Sequence, residues 1–196
     1  GGLGPLDFVQ ILDTDSGLLD WLRFRCDLIT EGIAQSRDAV HSAAGDDFIF
    51  GSDTYPASLS LLVGHDHTRW AECSDFASPL VSHVLQFVSL GLIEYARFLR
   101  ESLPSLSEME ALSVVYAATG YQGLGLPDSI AGYHAEDADT LARSIPLTDV
   151  ILHDLAKARL ALPAEIPSYP IIHGEGWPHD DIAAIRDGAL ALGHDG

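Results

Sequence analysis

Three short stretches carry the residues best equipped for chemistry. The first is His173-Gly174-Glu175-Gly176-Trp177. A carboxylate between glycines is open to close approach by a ligand, because glycine has no side chain to bar it. Trp177 offers the broad apolar face that suits the C–H groups of a sugar ring. Glycosidic bond cleavage needs two carboxyl groups, ~5–5.5 Å apart for retention and ~6.5–9.5 Å for inversion. Glu175 is one; as a residue type it fits a plain loop glutamate equally well. The second stretch is Ser52-Asp53-Thr54-Tyr55. Asp53 there can bind a substrate hydroxyl, orient Glu175, or simply close a turn on nearby N–H groups. The third is His65-Asp66-His67, whose two imidazoles have metal-ligand spacing. Further ligands would come from His83, His173 or Asp53. Asp66, however, precedes a helical stretch and reads better as its N-cap.

The elements that must position these groups can be read from periodicity. Leu18, Leu22, Cys26, Ile29, Ile33 and Val40 recur at helical spacing, which predicts a helix from Asp15 to Ala44 ended by Gly45. Residues 47–53 form a short apolar run bounded by Asp and Gly, the pattern of a buried strand. A weaker strand, 76–81, is interrupted by Pro79, and His83 stands just past it. A strand-end histidine can touch a substrate hydroxyl or shuttle a proton. Helices are predicted at 84–103, from the Ser107–Glu110 capping box to Gly120, and at 135–144 and 148–162. His153-Asp154 lies inside the last of these and reads as surface or supporting. Residues 169–173 read as a third strand, followed by a helix opening at Pro178 and Asp180.

Trp21-Leu22-Arg23-Phe24-Arg25 with Thr30-Glu31, Gly51-Ser52-Asp53-Thr54-Tyr55-Pro56-Ala57-Ser58-Leu59 with Val63-Gly64-His65-Asp66, and His173-Gly174-Glu175 together resemble uncharacterised bacterial TIM-barrel proteins related to glycoside hydrolases of the beta-galactosidase type. The likeness covers most of 15–83 and, more loosely, 165–196. It implies an α/β fold, a single partial (β/α)8 TIM barrel over 1–196. Residues 47–53, 76–81 and 169–173 would be strands five to seven, and 84–162 an enlarged helical insertion after the sixth. It implies that Glu175 is the nucleophile of a retaining hydrolysis. Asp53, Tyr55, His83, His173 and Trp177 would bind substrate, and the acid on the fourth strand would lie before Gly1. No metal or cofactor belongs to this reading. Two alternatives stay open: a metal-dependent hydrolase using His65, His67 and His173, and a non-catalytic sugar-binding or interaction domain.

Composition narrows the partners. Of the 196 residues, 29 are Asp or Glu and 10 are Lys or Arg, for a net charge of -19. Nucleic acid and anionic membranes need clustered basic residues, so the expected partner is a carbohydrate. Self-association through exposed sheet edges or the 84–162 helices is the other expectation. Lys157 is the sole lysine beside nine arginines and reads as a compositional bias. Two cysteines, Cys26 and Cys73, make no disulfide framework. With no secretory leader evident, the expectation is a reducing cytoplasm.

Overall fold

In a computed structural model, residues 17–45, 47–83, 90–172 and 177–195 are described. Helix α1 (Gly17–Ala44) turns Leu22, Cys26, Ile29 and Ile33 inward, as the periodicity predicts, with Cys26 and Thr30 its most buried residues. Leu18 lies on the opposite face with Trp21, Phe24 and Leu28, all substantially exposed, and the Arg25 guanidinium covers the Trp21 ring at 4.7 Å.

Strand β1 (Gly51–Thr54) starts later than the apolar run suggests, and Ile49 is 70% exposed, so that run is not a buried strand. β1 pairs in parallel with β2 (Phe76–Pro79), Gly51 opposite Phe76 and Thr54 opposite Pro79. Gly51 is required by this register: a Cβ there would lie 2.0 Å from the Phe76 ring. Between the strands run two 3-10 helices, Ser60–Val63 and His67–Glu72. Asp66 caps the second by accepting from the Thr68 N–H, as its position implies.

The remaining elements are α2 (Gly91–Ser102), α3 (Glu108–Thr119), α4 (Ala138–Ser144), α5 (Leu147–Ala161) and α6 (His179–Ala191). The Ser107–Glu110 capping box forms as read, and Gly120 ends α3 in the left-handed conformation. The larger core joins α2 to α6 around Leu92, Leu112, Tyr133, Ile151, Leu155 and Ile185. A smaller one, Trp70, Cys73, Ala77, Leu162 and Ile166, takes in Ile33 of α1.

The partial (β/α)8 barrel is overturned. The described residues are mostly helical, and their sheet has two strands. The third expected strand survives as two isolated parallel bridges, Ala77 to Ser168 and Leu80 to Ile171. Proline explains the gap. The Ala77 N–H donates to the Pro167 carbonyl (2.9 Å), but Pro79, two residues on, has no N–H to give, so the ladder breaks there. After α6 the chain returns to the same extended segment, where the Asp195 N–H donates to the Ser168 carbonyl (2.7 Å). After Gly193, the His194 and Asp195 side chains fold back onto Ser168.

Candidate functional site

Parallel pairing gives the extended segments a common polarity. The Leu80 N–H donates to Thr54 (3.0 Å) and the Ile171 N–H to Pro79 (3.0 Å), so β1, β2 and 167–171 all run out on one edge. In parallel α/β units ligands bind at the carboxyl ends of the strands. Of the residues expected to hold substrate, Asp53 is exposed on β1 opposite Ser78, and Tyr55 and His83 follow β1 and β2. The Tyr55 N–H donates to His65 Nδ1 (3.0 Å), and Ser82 Oγ lies 2.8 Å from His83 Nδ1. Glu175 and His173 lie outside the described residues. Trp177 sits in the larger core, 6% exposed, where its ring packs rather than presenting a face.

Around the end of β1 a second group gathers. The His65 ring lies 5.4 Å from the Trp70 ring, and His67 6.1 Å from it on an edge-on approach. Both His67 ring nitrogens, Trp70 Nε1 and Thr54 Oγ1 are buried with no hydrogen-bond partner among the described residues. Burial pushes the His67 imidazole down to about 4, with His65 adding to the effect. His65 is depressed by burial too. A neutral imidazole is the ligating form, yet among the described residues no three His, Cys, Asp or Glu groups stand close enough to hold a metal. His65 Nδ1 is also engaged by Tyr55.

A third constellation escapes the sequence reading. The Asp154 carboxylate, 1% exposed, accepts from the Ser58 N–H (3.0 Å) through one oxygen and from the Tyr121 hydroxyl through the other. Lys157, one turn along α5, donates through Nζ to Ser58 Oγ (2.8 Å) and to the Thr119 carbonyl (3.1 Å). Nζ also lies 5.8 Å from the centre of the Tyr121 ring. Burial lowers the Lys157 amine from its ordinary value, and the Asp154 charge acts the other way. Burial, helped by Asp154, pushes the Tyr121 hydroxyl far up, so it stays a donor. The sequence reading touched it twice, taking His153-Asp154 as surface or supporting and Lys157 as a compositional bias; Asp154 is buried, not on the surface.

No family model, curated protein or solved structure matches this chain. No helix among the described residues is long and apolar enough to cross a membrane.

Proposed function

We propose that the chain is a carbohydrate-active protein of glycoside-hydrolase type, with its sugar site on the edge where β1, β2 and residues 167–171 end. The observation that carries this reading is the shared parallel polarity of those three segments. Asp53 lies on β1, Tyr55 and His83 follow β1 and β2, and the sequence continues from the third segment to His173 and Glu175. In the reaction, Glu175 attacks the anomeric carbon while Asp53, Tyr55, His83 and His173 hold ring hydroxyls. Trp177, two residues before α6, packs in the larger core.

A dinitrophenyl glycoside tests the Glu175 step by itself, because its phenolate leaves without an acid. Turnover of one member of a sugar panel, reduced to background in Glu175→Gln, is the expected result. Turnover untouched by Glu175→Gln overturns the nucleophile assignment. Sugar affinity without turnover replaces hydrolysis with the binding-domain alternative, and neither affinity nor turnover removes the carbohydrate reading.

A further inference from the structure

The network around Lys157 is independent of the sugar-site reading. It joins three distant parts of the chain: the loop after β1, the turn that ends α3, and one face of α5. Three features point beyond packing. First, a lysine stands where this chain otherwise uses arginine. Arginine stays protonated in proteins, whereas a lysine amine can shed its proton and act as a base. Second, Nζ packs directly against Gly120, whose missing side chain makes room for it: at φ +82 a Cβ there would lie 2.6 Å from Lys157 Nζ and 3.9 Å from His153 Nε2. Third, His153 Nε2, beside the same glycine, is buried without a hydrogen-bond partner among the described residues. Ser58 and Lys157 are each partly exposed.

We propose that Ser58 and Lys157 form a nucleophile–base pair for acyl transfer, taking small carboxylic esters. The neutral Lys157 amine takes the Ser58 hydroxyl proton as Oγ bonds to the ester carbonyl carbon. The ester C–O bond then breaks, and the leaving alcohol takes that proton from the Lys157 ammonium. Water attacks the acylated Ser58, passing a proton through Lys157 back to Oγ, and the carboxylic acid leaves. Asp154 is a positioning residue, holding the Ser58 main chain and the Tyr121 ring that borders Nζ. Burial of Lys157 favours the neutral amine that the first step needs. The charged and titratable groups around it are Asp154 and His153 on α5 and Tyr121 on the turn.

The test is covalent labelling of the intact chain with a fluorophosphonate, the adduct located by mass spectrometry, alongside hydrolysis of p-nitrophenyl acetate. The expected result is one adduct, on Ser58, absent in Ser58→Ala. Its formation rate should rise with pH along a single ionisation and fall about 100-fold in Lys157→Arg, which keeps charge and donors but not the base. Circular dichroism of both variants separates loss of chemistry from loss of fold. No adduct on folded wild-type Ser58, or equal labelling of Lys157→Arg, overturns the proposal. Neither result bears on glycoside turnover, so this reading and the sugar-site reading fail separately.

Discussion

Burial at His67 removes an imidazole from water, and neither ring nitrogen has a hydrogen-bond partner among the described residues. The Tyr55 main chain and Asp66 lie close enough to favour the charged ring, but neither offsets burial, and the ring is held to about 4 against an ordinary 6.5. The unfolded chain therefore binds a proton that the folded chain refuses between those two values. Stability is fullest above pH 6.5 and falls as pH drops towards 4, by on the order of 3 kcal/mol for this residue. His65 and His194, also depressed mainly by burial, act in the same direction. Urea denaturation at pH 7.5 and 4.5 should show the loss, and His67→Phe should remove most of it. An equal pH slope in the variant would mean that another group carries the effect. At this scale the sequence was legible where chemistry is local. The cap at Asp66 follows from an aspartate two residues before Thr68, whereas Ser58 meets Asp154 across 96 residues and Lys157 across 99. No spacing rule reaches that far, because only the packing of α5 against the β1 loop brings those groups together.

The join between α1 and the first 3-10 helix rests on a single glycine. Gly64 ends that helix at φ +84, and a Cβ would stand 2.8 Å from the Arg25 carbonyl oxygen and 2.9 Å from Ile29 Cγ1. The obstruction is main chain of a long helix, which cannot swing aside as a flexible side chain does. Gly64→Ala thus combines a left-handed conformation, which costs about 1–2 kcal/mol for an L-residue, with displacement of α1. Chemical denaturation should show a loss of about 2–3 kcal/mol. A loss below ~0.5 kcal/mol would mean that α1 yields without cost. Helices were the readable elements, because caps such as Ser107 and stops such as Gly120 act within a few residues. Strands were read less well. Residues 48–50 are apolar, yet Phe48 and Ile49 are exposed, and 169–172 lost its ladder to a proline on the neighbouring strand rather than to anything in its own pattern. The barrel that the resemblance implied needed each of those strands to pair, and a strand exists only through its neighbour's donors and acceptors.

At the scale of the whole molecule the dominant feature is charge, a net -19 on 196 residues. Ion pairs do little to offset it. Arg23 with Asp20, Arg97 with Glu94 and Arg186 with Asp187 all have both side chains more than half exposed, and pairs of that kind contribute little. Repulsion among the unpaired carboxylates acts over ~10 Å in 0.1 M salt and only ~3 Å in 1 M, so added salt relieves it more than it weakens the pairs. Raising sodium chloride from 0.05 to 1 M at pH 7.5 should lift the unfolding temperature. Relief of 1–2 kcal/mol corresponds to roughly 2–8 °C for a chain of this size. Replacing sodium by potassium chloride should give the same rise, which separates screening from ion-specific effects. Glu101→Gln with Glu165→Gln, two exposed acids away from any helix start, should raise the low-salt temperature and shrink the salt response. A fall in unfolding temperature with salt would mean that attraction within pairs such as Arg69 with Glu72 (2.9 Å) outweighs repulsion across the surface. The acidic excess would then stabilise the fold through those pairs instead of opposing it.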